Sequence, residues 1–314
     1  MLTSLVKSSA PGKAILFGEH AVVYGQPAIA VPVSEVSARA TIVRARTGRG
    51  LTVVAADLGQ QFSLRTAPGG DPLAAAARLT LSYLSEPEPD ATITIRSSIP
   101  IASGLGSGAA VATSLVRALA AFVDHSLSRG EVSRLVFEVE KIHHGTPSGI
   151  DNTVIAFEQP VWFERGAIAG PALVSVGRPF TLLIGDTGIA SPTKRLVDRV
   201  RRGWERDRER SDALFRQIGQ VAREAYSHIQ SGEVDALGPL MDTNHALLVE
   251  LGVSSPTLDR LVEAARSAGA AGAKLSGAGL GGCVVALLQV EWAEPAIEIL
   301  RRAGAVRVIR TTVH

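Results

Sequence analysis

Three charged or titratable residues within eight positions give the first chemical signal. Lys13, Glu19 and His20 interrupt an otherwise apolar stretch, Ala10-Pro-Gly-Lys-Ala-Ile-Leu-Phe-Gly-Glu-His-Ala-Val-Val-Tyr-Gly25. A lysine entering an apolar strand is costly unless something pairs with it. Alone it could reach water along its own stem, but its clustering with glutamate and histidine favours a polar site. Further along, Glu140 and Asp151 stand eleven residues apart, one on a predicted helix and one beyond the turn-rich run His144-Gly-Thr-Pro-Ser-Gly-Ile-Asp-Asn152. Phosphoryl transfer needs charge stabilisation, Mg²⁺ held by carboxylate or hydroxyl oxygens, and a group that orients or deprotonates the acceptor hydroxyl. Lys13, Glu140 and Asp151, with a phosphate-binding loop, would supply all of these.

Such a loop is present at Pro100-Ile-Ala-Ser-Gly-Leu-Gly-Ser-Gly-Ala-Ala-Val111, between an alternating strand-like run and a segment with apolar residues at helical spacing. Gly104, Gly106 and Gly108 permit positive φ angles, and a turn of this kind opening a helix offers N–H groups to an anion. No Gly-x-x-x-x-Gly-Lys-Ser/Thr occurs, which excludes a Walker-type loop. A second glycine pattern, Lys274-Leu-Ser-Gly-Ala-Gly-Leu-Gly-Gly-Cys283, matches Gly-x-Gly-x-x-Gly but leads into a strand. The dinucleotide-binding reading therefore fails its context, and the segment reads as a tight turn approaching another glycine-rich loop. Zinc at His143-His144 is disfavoured, because the pair lacks i, i+4 spacing and no cysteine lies nearby.

The elements that must position these residues follow from periodicity and turn chemistry. Strands are expected at 5–9, 14–17, 28–33, 37–46 and 51–55, with Gly48-Arg-Gly50 as a hairpin turn between the last two. Asp71-Pro72 should cap and start a helix to about Leu84. A strand at 91–97 leads into the loop, followed by helices at 107–124 and 128–143, the second with a Ser128/Glu131 capping box. The region 166–179 reads as a domain boundary, dividing 1–179 from 180–314. Beyond it come a strand at 180–186, helices at 192–208, 211–231, 233–250 and 256–268, strands at 271–275, 283–288 and 305–309, and a helix at 292–302. Strands combined with helices in both halves indicate a two-domain α+β protein.

Composition narrows the function class. The 314 residues are 46% hydrophobic, enough for a large core, and 32 basic residues face 30 acidic ones. That balance argues against a nucleic-acid or membrane partner recognised by charge. The arginine-rich run from Asp198 to Asp212 alternates in sign and reads as a solvated helix face. With aromatics at 4%, a base-stacking surface is not expected. One cysteine, Cys283 in an apolar run, reads as a core residue and points to a reducing cytoplasm. Neither a signal peptide nor a membrane-spanning run is evident.

Taken together, the motifs resemble the GHMP superfamily of small-molecule kinases (galactokinases, homoserine kinases, mevalonate kinases, phosphomevalonate kinases), most closely its mevalonate kinase branch. The resemblance spans nearly the whole chain. It rests on Pro-Gly-Lys…Gly-Glu-His-Ala-Val-Val-Tyr-Gly, on His144 to Asn152, and on Met241-Asp-Thr-Asn-His-Ala-Leu-Leu248 followed by Leu251-Gly-Val-Ser254. It implies ATP-dependent phosphorylation of the C5 hydroxyl of mevalonate in isoprenoid biosynthesis, in a two-domain fold with the active site in the cleft between domains. By position, Asp151 matches the catalytic base, and Lys13 the lysine near it and the transferring phosphate. Glu140 matches the Mg²⁺ carboxylate, and Glu19, His20 and Thr193 match the mevalonate pocket, where a cation or donor is needed for the substrate carboxylate. Pro100, Ala102, Ser103, Gly104, Leu105, Gly106, Ser107, Gly108 and Ala109 match the nucleotide loop.

One position departs from the family. Its loop usually reads Gly-Leu-Gly-Ser-Ser-Ala, and the second serine gives a hydroxyl to Mg²⁺, where this chain has Gly108. Ser107 takes over, a water completes the shell, or Glu140 and the nucleotide hold the metal between them. Alternative readings are a relative acting on phosphomevalonate, on another hydroxyl of mevalonate or on a different small alcohol, and a non-catalytic metabolite sensor. Oligomeric state stays open, a homodimer included.

Overall fold

The computed structural model describes residues 5–144, 147–166, 171–191 and 193–314. Gly145 and Thr146 of the second motif, four residues of the expected boundary segment and Pro192 lie outside these. The chain forms two compact units. The first comprises 1–12, 36–100 and 106–158, and the second 13–35, 101–105 and 159–314. This differs from a single cut at 179, because two strands expected as short pieces are long and divide between the units. β1 runs through Pro11-Gly12 as Leu5–Phe17, and β2 runs as Pro27–Arg44.

In the first unit, β3 (Leu51–Ala55) pairs with β4 (Gln60–Ser63) and runs parallel to β5 (Ala91–Ser97), which pairs antiparallel with β2 from Ala38 to Arg44. The expected hairpin at 48–50 is therefore not one: β5 lies between β2 and β3. The turn is held instead by the Asp90 carboxylate, which accepts from Gly48 N at 2.9 Å and Gly50 N at 2.6 Å. Those N–H groups lower the Asp90 pKa. Helix α1 (Pro72–Leu84) starts as its sequence dictates, with Asp71 accepting from Ala74 N at 2.8 Å. The helices α2 (Ser107–Phe122) and α3 (Arg129–His144) follow. Ser128 and Glu131 form the capping box, through bonds of 2.8 and 3.3 Å, and the two hydrogen bonds to the carboxylate from Ser128, with a third from Tyr83, lower the Glu131 pKa to about 2. A short helix, α4 (Ile150–Phe157), was hidden behind the turn formers before it.

In the second unit, β6 (Val161–Glu164) pairs with the first part of β2 and with β7 (Ala172–Leu173). The remaining strands are β8 (Phe180–Asp186), β9 (Gly272–Ser276), β10 (Cys283–Leu288) and β11 (Arg307–Val313), an antiparallel sheet in the order β11-β8-β10-β9. The helices are α5 (Thr193–Arg206), α6 (Arg208–Ser231), α7 (Leu237–Glu250), α8 (Pro256–Ser267) and α9 (Ala293–Arg302). Among the described residues, no helix is long and apolar enough to cross a membrane.

β9 is an edge strand, and an edge strand leaves one row of N–H groups unpaired. Helix α7 answers for them. Asp242 accepts from Ala273 N at 3.0 Å, and His245 Nδ1 from Leu275 N at 3.4 Å. The approach is so close that a Cβ at Gly272 would overlap the backbone of Gly238. Gly272→Ala therefore forces helix and strand apart. The expected cost is about 1–3 kcal/mol, read as a lower urea midpoint with an unchanged m-value; an unaltered midpoint would contradict the contact.

Candidate active site

In the second unit, the end of β1 is fixed from two sides. Lys13 is 3% exposed, and its backbone N–H donates to Leu105 O at 3.0 Å. Two residues on, Ile15 N donates to Ser276 Oγ at 3.1 Å, and that hydroxyl donates to Ile15 O at 2.9 Å. Glu19 has no exposed surface. Its Oε1 takes a hydrogen bond from Lys274 Nζ, and its Oε2 one from Asn244 Nδ2 at 3.0 Å. His20 is also buried, with Nε2 2.9 Å from Ala278 O, so this nitrogen carries the hydrogen. Burial pushes the His20 pKa down, partly opposed by that hydrogen bond, and the ring is neutral at pH 7.

These contacts change what two expected pocket residues can do. Both oxygens of Glu19 are committed inside the protein, and a neutral His20 supplies no cation for a substrate carboxylate. Thr193 stands exposed at the start of α5. Lys274 and Asn244 were not singled out from sequence. The signal was available, since Lys274 interrupts an apolar strand just as Lys13 does. Burial lowers the Lys274 pKa, opposed only in part by the charge and hydrogen bond of Glu19.

The turn from 276 to 282 packs against residues 101–105, as expected of it. A Cβ at Gly277 would lie 3.8 Å from Gly104 Cα. Ser191 N donates to Ala102 O at 2.9 Å, and Ser191 Oγ to Gly279 O at 2.7 Å. Leu280 N and Gly282 N donate to Val253 O and Ile189 O, both at 2.8 Å. These amides are already used, which is why a Gly-x-Gly-x-x-Gly match here is no phosphate cradle. Cys283 is buried at the start of β10, and its thiol pKa is pushed up, first by burial and then by Asp186, against Lys13 and a Ser103 hydrogen bond. That fits a core residue, not a nucleophile.

In the first unit, α2 begins at Ser107 with Gly106 as N-cap at φ 73° and no side chain capping the first turn. Gly104 also takes a positive φ, whereas Gly108 lies within the helix. Its missing side chain matters more than its backbone: a Cβ at position 108 would have Glu140 Oε1 3.8 Å away. Glu140, on α3, is 9% exposed. Asp151 is half-buried in the first turn of α4. Asn152 ties α4 to α3 by donating to Ser133 O at 3.1 Å and Ser133 Oγ at 2.9 Å. Among the described residues, no group of three or more His, Cys, Asp or Glu side chains could hold a metal. A divalent ion here would rely on few protein ligands, as Mg²⁺ commonly does.

The support of β9 by His245 has a pH signature. Nδ1 accepts from Leu275 N, and Nε2 faces Asp259 Oδ1 at 3.4 Å, so the neutral ring is the one that fits. Burial first, then Lys274 and Arg266, lower its pKa to about 4, against the opposing charges of Asp259 and Asp242. Between the ordinary value of 6.5 and about 4, the unfolded chain binds a proton that the folded one does not. Stability should therefore fall as pH drops through that window. His245→Gln is expected to flatten this part of the urea-midpoint profile, and a profile identical to wild type would refute the assignment.

Comparison with known proteins bears on the whole chain. Residues 72–159 match the GHMP kinases N terminal domain and residues 225–306 the GHMP kinases C terminal domain. A mevalonate kinase of Pyrococcus furiosus is 35% identical, over 97% of this chain and 95% of that protein. One from Pyrococcus abyssi is 36% identical, over 98% and 95%. The crystal structure of L. major mevalonate kinase in complex with R-mevalonate superposes with a TM-score of 0.85 at 28% identity, covering 99% of this chain and 97% of that one. Similarity of this extent makes this protein a member of the mevalonate kinase family of GHMP kinases.

Proposed function

We propose that the protein transfers the γ-phosphoryl group of ATP to the C5 hydroxyl of mevalonate, giving 5-phosphomevalonate for isoprenoid biosynthesis. The observation that carries the kinase chemistry is Glu140 Oε1 facing position 108 in the first turn of the helix that the glycine loop opens. A carboxylate beside a run of helix-start N–H groups suits a metal-bound phosphate. The choice of acceptor is supported by the end-to-end likeness to mevalonate kinases. Magnesium would be held by Glu140, Ser107 and water, and when bound would neutralise charge on the phosphate oxygens.

The chain's own residues have separate tasks. Asp151, in the first turn of α4, accepts the proton of the acceptor hydroxyl. Lys13 offers a buried ammonium to the developing charge. The loop residues Pro100, Ala102, Ser103, Gly104, Leu105, Gly106, Ser107, Gly108 and Ala109 hold the nucleotide phosphates. Thr193 and the remaining nitrogen of His20 contact the acceptor. The division into 1–179 and 180–314 is supported by the two different family matches, which fall on either side of it. A cytoplasmic location follows from the reading of the single buried cysteine.

Coupled ADP release with mevalonate, ATP and Mg²⁺ tests the reading, and phosphorus NMR of the product should place the phosphate on C5; no turnover at millimolar substrate would remove it. Asp151→Asn should lower kcat about 10²–10⁴-fold while ATP binding, followed by calorimetry, persists. Ser107→Ala should shift the Mg²⁺ titration of activity to higher concentration. Coincident titrations would assign the missing position to water.

A further inference from the structure

Glu19 and Lys274 are both 0% exposed and are paired with each other. The Lys274 ammonium also donates to Leu275 O at 2.7 Å, and Asn244 takes the other Glu19 oxygen at 3.0 Å. The turn that carries Glu19 is constrained. Gly18 has φ 93°, and a Cβ there would overlap the backbone of Pro27 and Ala28. His20 adopts φ 59°, a conformation that a side chain disfavours, and is held by Ala278 O. Two residues beyond Lys274 on the same strand, Ser276 brackets Ile15. Strand β9 and the turn after it therefore grip the end of β1 at Ile15, Glu19 and His20, and β1 passes that register to Leu105 through the Lys13 amide.

We propose that Lys274, through Glu19, is a positioning residue for the kinase reaction. The pair locks the 18–20 turn and the end of β1 to β9, and thereby fixes where Lys13 and the loop 101–105 stand during phosphoryl transfer. On this assignment Glu19 and Lys274 act through the backbone they anchor, both Glu19 oxygens being taken by Lys274 and Asn244. This inference rests on the kinase reading above, and its test separates the two.

Three variants are compared with wild type: Glu19→Gln, Lys274→Met and the double variant carrying both. Lys274→Met strands a buried carboxylate and should lower the thermal midpoint most, whereas the double variant removes both charges and should recover it. In the folded double variant, kcat should fall about 10²-fold, the scale of a small misplacement of reacting groups, with KM for mevalonate and ATP nearly unchanged. Amide exchange should rise in 13–20 and 101–105 and stay unchanged in the first unit. A double variant with wild-type kcat and wild-type exchange would reduce the pair to a fold element and overturn the proposal. A rise in KM for mevalonate in Glu19→Gln, additive with Lys274→Met, would do so by making Glu19 a substrate contact. If wild type releases no ADP with mevalonate, the kinase reading fails, and the exchange experiment still decides whether the pair orders these segments.

Discussion

The second unit is built around a charge pair that has lost its water. Moving a carboxylate and an ammonium out of solvent costs several kcal/mol each, and mutual attraction offsets this only when the remaining hydrogen-bonding capacity is met. Asn244 and Leu275 O meet part of it. Much of the surrounding geometry can be read as serving that requirement. Glu19 must be delivered by a turn tight enough to need glycine at 18, and Lys274 must sit on a strand whose outer edge is closed to water by α7.

The same need to satisfy polar groups explains the glycine-rich turn after β9. Its amides and carbonyls bond to residues 187–191 and 253, so a segment that looks like a ligand loop is instead a structural junction. Loop 101–105 packs on this junction, whereas α2 begins beyond it with a helix start that no side chain caps. The anion site we propose lies at that helix start, not in the turn after β9. At position 108 the absence of a side chain leaves Glu140 Oε1 as the neighbour that a Cβ there would meet at 3.8 Å, and a hydrated hard cation tolerates the loss of one hydroxyl ligand better than a tightly chelated one.

Much of this was legible in the sequence. The Asp71-Pro72 helix start, the Ser128/Glu131 box and the strand at 283–288 rest on local rules that tertiary contacts did not override. Glu140 and Asp151 were recognisable as carboxylates flanking a turn, and the structure sets them on α3 and α4. What local rules miss is partnership across long separations. The glycines at 48 and 50 signal a turn, but nothing nearby reveals that β5, forty residues on, will insert beside β2 and β3. Pro11-Gly12 reads as a break because strand continuity there depends on the pairing of β1 with β2. Lys274 is legible as a lysine inside an apolar strand, but its partner, 255 positions away, is not.

That separation has a consequence for the order in which the protein can be made. The last segment of the first unit ends at 158, so all of its residues have been synthesised midway through translation. Residues 13–35 belong to the other unit, and Glu19 meets Lys274 only when most of the chain exists. Until then a carboxylate destined for a dry interior stays in water, which is the state it prefers. Domains generally fold as units while synthesis proceeds. Here residues 13–35 must wait for the C-terminal sheet, and non-local closure of this kind is slow. The pair that completes the second unit is thus also a late checkpoint, closing only on a chain whose final strands have arrived.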